Sequence, residues 1–219
     1  MRSTLLAAAL VVSTLVAHAE PAPSARDQLL KRAHTALEAI RKGGKVWTGK
    51  VKEVPDYGFQ ADNFALDGDG DEGTIYLQFP GKYRIRWSEN NEAYCYDGQQ
   101  IHQWASDGER ATLALNETAF GALVQGTLDG TNRVGAITQE ELRFEGKKQP
   151  IIFLDLEPAQ NANRSNSVRV YITGSGEARI VGFRIPAERR SGYGNPDYFN
   201  FWLRDLHPEM LDNSVFKPH

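Results

Sequence analysis

The segment whose residue types come nearest to metal chemistry is Asp67-Gly-Asp-Gly-Asp-Glu-Gly73. Carboxylates at alternate positions resemble the start of a calcium loop. Such a loop needs a glycine at its sixth position and a bidentate glutamate at its twelfth. Those positions here are Glu72 and Gln78, so the segment reads as a polar hairpin turn and no metal site is assigned. His18, His34, His102, His207 and His219 are scattered, without the paired spacing of a zinc site. Gly174-Ser175-Gly176 lacks the spacing of a nucleophile elbow and reads as a turn. Cys95 is the single cysteine. It lies between two tyrosines in a strand-like segment, reads as a buried or half-buried structural thiol, and has no partner for an internal disulfide. No glycine-rich phosphate loop precedes a helix. Asn116-Glu-Thr118 and Asn163-Arg-Ser165 fit the glycosylation sequon, a pattern common by chance. No catalytic residue and no cofactor is assigned. The expectation is a protein that is not an enzyme, with acid residues brought together by folding as the open alternative.

The formal charge is −3, or −4 without Arg2. That balance, with no basic cluster, argues against nucleic acid. Tyr83 to Trp87 does interleave aromatic and basic residues, as single-strand binders do. Strand alternation explains it more simply, with arginines on a wet face and aromatics on a dry one. At the N-terminus a basic Met1-Arg2 precedes an apolar run from Leu5 to Val16 and then Ala17-His18-Ala19. This is the pattern of a cleaved secretory signal peptide over residues 1–19. The run is too short to span a bilayer; an uncleaved anchor is the alternative. Residues 20–219 are long enough to form one domain with its own core.

The elements follow from periodicity. Ser24 is placed to cap a helix, and Leu29, Leu30, Ala33, Ala36, Leu37 and Ile40 share one helical face before Gly43-Gly44 ends it. From Lys45 the period changes to two. Strands are expected over Lys45–Val54 and Tyr57–Leu66, joined at Pro55-Asp56. The clearest alternation is Gly73-Thr-Ile-Tyr-Leu-Gln-Phe-Pro-Gly-Lys-Tyr-Arg-Ile-Arg-Trp87, followed by Tyr94 to Trp104. Ile75, Leu77 and Phe79 alternate with polar residues, the chain folds back at Pro80-Gly81, and Tyr83, Ile85 and Trp87 continue the apolar set. So large a set of apolar side chains on one face must meet a core, a lid or a ligand. Further strands are expected over Arg110–Leu115, Leu142–Phe144, Pro150–Leu156, Ser167–Thr173, Arg179–Ile185 and Tyr198–Leu206. Asn116 is placed to cap a short helix carrying Phe120, Leu123 and Val124. Gly126–Glu140 reads as loop or irregular helix. About ten strands in meander order with two or three helices make an α+β domain built on a large, strongly curved antiparallel sheet.

The motif Gly-x-x-x-Leu-x-x-Pro-Gly-Lys-Tyr-Arg-x-x-Trp, with Asp97-Gly98 and Trp104 after it, resembles the outer-membrane lipoprotein carrier proteins of Gram-negative bacteria (LolA-like). The ending Asn195 to Pro218, an aromatic strand leading to Phe216-Lys-Pro218, is similar to that family's closing segment. The resemblance runs from about Ser24 to Pro218 in element order. It implies an incomplete antiparallel β-barrel of about eleven strands wrapped around an N-terminal helix and short lid helices. It also implies a monomeric periplasmic carrier that shelters lipoprotein acyl chains or lipid and meets donor and acceptor proteins at the inner and outer membranes. Ile75, Leu77, Phe79, Tyr83, Ile85 and Trp87 would line the cavity, with Phe120, Leu123 and Val124 in the lid. The family places an arginine that holds the lid where this chain has Phe79, and Arg84 and Arg86 stand in the opposite register. That departure favours lipid retention, and it keeps a second role open, a sensor of lipid or lipoprotein with the same fold. The sequence leaves open whether Trp47, Phe59 and Trp202 line the face or pack outside it.

Overall fold

The structure is a computed structural model that describes residues 24–41, 46–56, 70–78, 82–88, 93–96, 100–105, 108–114, 132–158, 168–186 and 198–216. It opens with α1 (Ala25–Arg41), whose first turn is closed by its own side chains. Ser24 Oγ accepts from the Asp27 backbone amide at 3.2 Å, and an Asp27 carboxylate oxygen accepts from the Ser24 amide and hydroxyl at 3.2 and 2.6 Å. Reciprocal bonding of this kind satisfies donors that a helix start leaves open, and it holds the Asp27 carboxyl below the usual range. The face expected from the sequence is the one that packs: Ala33, Ala36 and Ile40 are buried, and Leu29, Leu30 and Leu37 are partly buried against the core.

Eleven strands follow: β1 (Val46–Asp56), β2 (Asp71–Gln78), β3 (Lys82–Trp87), β4 (Ala93–Tyr96), β5 (Gln100–Ala105), β6 (Gly108–Ala114), β7 (Asn132–Phe144), β8 (Lys147–Pro158), β9 (Val168–Thr173), β10 (Ile180–Pro186) and β11 (Tyr198–Glu209). They form one sheet in the order β6-β5-β4-β3-β2-β1-β11-β10-β9-β8-β7, antiparallel throughout. Strands that pair in the sheet are consecutive in sequence except at one place, the central pair β1–β11. β6 and β7 end the sheet at opposite edges, so among the described residues the barrel is incomplete, as expected. A short 3-10 turn, Asn213–Phe216, follows β11.

The sheet buries both faces, and alternation decides which residue goes where. Val51, Ile75, Leu77, Tyr83, Ile85, Trp87, Leu154, Val170, Ile172, Phe183, Phe201 and Leu203 form one cluster with Ala33 and Ala36 of α1, on what we call the inner face. The alternate positions Phe144, Ile151, Phe153, Tyr171, Val181 and Trp202 form a second cluster on the outer face. Tyr171 stacks on Trp202 at 4.5 Å between centroids, and its hydroxyl donates to Asn200 Oδ1 at 2.7 Å. Gly182 lies beneath that stack; a Cβ there would come within 3.1 Å of both rings.

Two expectations need amendment. Gly126–Glu140 does not remain irregular, because β7 begins at Asn132. It is an edge strand paired to β8 alone, and its middle, Thr138 to Glu141, is exposed throughout, so the sequence there offers no two-residue alternation until Leu142 and Phe144. β1 runs on through Pro55 to Asp56, where a turn was expected. The strand expected over Tyr57–Leu66 lies outside the described residues.

Candidate functional site

Five of the six residues expected to line a cavity come together. Ile75 and Leu77 of β2 stand directly opposite Ile85 and Tyr83 of β3, and Trp87 stands opposite Gly73. All five belong to the inner cluster and are buried, Ile75 completely at 0% exposure. Phe79, and the lid residues Phe120, Leu123 and Val124, lie outside the described residues. The same face continues through Val51 of β1, Phe201 and Leu203 of β11, Phe183 of β10, Val170 and Ile172 of β9 and Leu154 of β8. Every strand from β3 to β8 in sheet order thus contributes apolar side chains to one face. Of the tryptophans that the sequence leaves open, Trp47 packs against this cluster and Trp202 lies on the other side; Phe59 is outside the described residues.

Curvature makes the face a trough. β3 and β11 are separated by β2 and β1, about 14 Å at normal strand spacing. Yet the rings of Trp87 and Phe201 are 6.5 Å apart. Gly73 permits this: a Cβ at that position would lie 3.0 Å from the Trp87 ring and would overlap the Arg86 carbonyl oxygen. Without a side chain there, Trp87 folds across β2 toward β1 and β11. Phe183 then stacks on Phe201 at 5.0 Å, extending the aromatic wall into β10.

α1 covers the β7–β8 side of this trough. Its fixing point is Arg32, which sequence reasoning does not single out. Arg32 Nε donates to the Thr173 carbonyl at 2.6 Å, and one Nη donates to the carbonyls of Ser175 and Gly176 at 2.6 and 2.9 Å. The β9–β10 turn that receives it is itself held by hydrogen bonds. Thr173 Oγ1 accepts from the Arg179 amide at 3.0 Å, and the Gly174 amide donates to Pro150 O at 2.6 Å. Gly174-Ser175-Gly176 is thus a turn, as the sequence indicates, with carbonyls that hold a guanidinium. Nothing local marks Arg32, because its partners are 141 to 144 residues away.

Glu53 is the second residue missed. Val51 points inward and Val54 outward, so Glu53 takes an inward position on β1. Its direct neighbours across the strands are Phe201 and Asp71. Burial, and then the nearby Asp71 charge, push its carboxyl up to about 7. A signal was present in the sequence, since a charged residue occupies the register of Trp47 and Val51. Among the described residues no group of three or more His, Cys, Asp or Glu is placed to hold a metal ion.

The outer face is closed near β3 and β4 by the chain's own end. Arg84 Nη1 donates to Val215 O at 2.9 Å, and Cys95 Sγ donates to Phe216 O at 3.0 Å. Cys95, at 0% exposure, packs with Val46 and Phe216. It is the structural thiol that the sequence indicates. Arg84 is on the outer side, opposite the trough, as its register requires.

No family model matches the chain, and no curated protein matches it. Among solved structures, a LolA superfamily protein, NE2245, from Nitrosomonas europaea is similar over 87% of this chain and 97% of that one, at 12% identity and a TM-score of 0.42. A putative outer membrane lipoprotein-sorting protein domain from Vibrio parahaemolyticus is similar over 84% and 94%, at 11% identity and a TM-score of 0.42. Proteins of the resembled superfamily are among its structural neighbours. The Pseudomonas aeruginosa MucA/MucB complex is similar over 88% of this chain and 60% of that one, at 10% identity and a TM-score of 0.36. Likeness at these values concerns architecture alone and says nothing of activity.

Proposed function

We propose that the protein is a periplasmic, non-enzymatic binding protein that shelters acyl chains of lipoproteins or lipids in the inner trough, for transfer through the envelope. The observation that carries this is the apolar face to which every strand from β3 to β8 in sheet order contributes. The described helix on it presents small side chains, Ala33 and Ala36, at its centre. A 17-residue helix is about 10 Å wide and about 25 Å long, and α1 makes its main contacts with β7 and β8, whereas β3 to β8 spans six strand spacings, about 29 Å. α1 alone therefore cannot cover the face. Alanines also bury little area, so α1 gains little from its central contact and depends on the flanking leucines and on Arg32. Such a cover is cheap to lift. A sheltered acyl chain returns about 0.8 kcal/mol per methylene, roughly 12 kcal/mol for sixteen carbons before costs. That exceeds what a few alanine and leucine contacts oppose. The signal-like residues 1–19 support the periplasmic location.

Native mass spectrometry of the full chain purified from an envelope fraction tests this. Bound amphiphile of acyl-chain mass is expected, displaced in proportion by an added fluorescent fatty acyl probe. A preparation free of lipid that also fails to bind the probe saturably overturns the reading.

A further inference from the structure

The trough contains one side chain that does not belong to an apolar lining. Glu53 stands on the inner face at the end of β1 where β2 begins with the exposed Asp71. Phe201 is its direct cross-strand neighbour, Phe183 stacks on Phe201, and Trp87 reaches over Gly73 to within 6.5 Å of the Phe201 ring. A carboxylate beside aromatic faces is the arrangement that attracts an organic cation: the carboxylate supplies charge, and the rings supply their negative faces at little desolvation cost.

No cation of the chain is placed to fill that role among the described strands nearby. On β1, β2, β3, β10 and β11 the lysines and arginines are Lys50, Lys52, Lys82, Arg84, Arg86, Arg184 and Arg204. Every one stands in the register that alternates with the inner residues Val51, Tyr83, Ile85, Trp87, Phe183 and Leu203, and so on the outer side. Lys52 sits 3.8 Å from Glu72 there, and Arg184 lies over the Tyr198 ring at 4.3 Å. The group facing Glu53 from β2 is another acid, Asp71; from β11 it is Phe201. Among the described strands nearby, the rim of an otherwise greasy trough therefore carries negative charge with an aromatic wall and no lysine or arginine on its face.

We infer that Glu53, with Asp71 at the rim and the Trp87 and Phe201 rings beside it, selects amphiphiles that carry an ammonium headgroup, the acyl chain lying along the trough and the ammonium at Glu53. This rests on the acyl-chain reading above and names the class of ligand for that site. It accounts for an acid kept in an apolar face: an ammonium restores the charge balance that burial and Asp71 disturb. An anionic headgroup at the same place meets two like charges.

The test compares two single-chain probes, a sixteen-carbon lysophospholipid with an ethanolamine headgroup and one of equal chain length with a glycerol headgroup. Each is titrated below its micellar concentration into the delipidated full chain at pH 8, by calorimetry and by tryptophan fluorescence. The ethanolamine lipid should bind at least tenfold more tightly. Glu53→Gln should reduce that ratio to under threefold, chiefly by improving the glycerol lipid. Asp71→Asn, at an exposed position, should reduce it partly. Equal affinity of the wild-type chain for both lipids, or a ratio that Glu53→Gln leaves intact, overturns the headgroup assignment and leaves the acyl-chain reading standing. Failure of both lipids to bind overturns both.

Discussion

Replacing Glu53 by glutamine should make the unliganded protein more stable, and by an amount that depends on pH. The carboxyl is raised from 4.5 to about 7, first by burial and then by Asp71. Below pH 4.5 it is protonated in the folded and the unfolded chain alike and costs nothing. Between about 4.5 and 7 the unfolded chain releases its proton while the folded chain keeps it, so stability falls as pH rises. Above about 7 both forms are ionised and the loss is constant. At about 1.4 kcal/mol for each tenfold change in proton affinity, the full loss is about 3 kcal/mol. Glutamine keeps the shape and the polar tip of the protonated acid without ever ionising. Glu53→Gln should thus match the wild type at pH 4 and exceed it by up to about 3 kcal/mol at pH 8. Urea denaturation of both chains at pH 4, 6 and 8, followed by tryptophan fluorescence, measures this. Taking the difference between the chains removes the titration of all other groups. A difference that does not change with pH, or a variant less stable at pH 8, would show that the carboxylate already has a compensating partner, and the reasoning would fail.

Arg32→Ala should raise hydrogen exchange throughout Ala25–Arg41 and speed release of a bound acyl probe; Arg32→Lys should fall between, since an ammonium cannot span the Thr173, Ser175 and Gly176 carbonyls as a planar fork does. Ile75→Ala should cost about 2–5 kcal/mol, because the side chain is fully buried opposite Ile85, and denaturant midpoints will show it. The Cys95 thiol, buried and bonded to Phe216 O, should react with a thiol reagent only as fast as the closing turn opens. A rapid reaction of the native chain would contradict that packing.

The strands were legible wherever one face is buried and the other wet. β2 and β3 alternate cleanly, so Ile75, Leu77, Tyr83, Ile85 and Trp87 could be assigned to one face from sequence. The α1 stripe and the Ser24 cap were equally plain, since both are local. β7 was legible only at its end, Leu142–Phe144, because Thr138 to Glu141 are all exposed and carry no period. The pairing of β1 with β11 leaves no local trace either, as it joins residues about 150 positions apart. Arg32 was hidden for the same reason: a guanidinium that meets main-chain carbonyls imposes no requirement on the side chains it meets. Glu53 was visible as a charge in an apolar register, but its meaning needed Phe201 and Asp71 beside it.

The central pair also sets the order in which the molecule can be made. β2 through β6 form a run of hairpins between near neighbours, and so do β7 through β10; each wing can zip locally. β1 emerges early, yet its second partner arrives only with Tyr198–Glu209. Until then β1 has one bare edge, with Trp47 and Val51 attached to it. The closure cost of so long a loop falls on a single seam, which slows its formation. At that seam β11 slips register against Thr48 and Lys50, and Asp205 adopts a φ of 53°. A chain emerging vectorially would stand half-built with its trough split down the middle, and the arrival of Tyr198–Glu209, more than any interior contact, decides when the two wings become one protein.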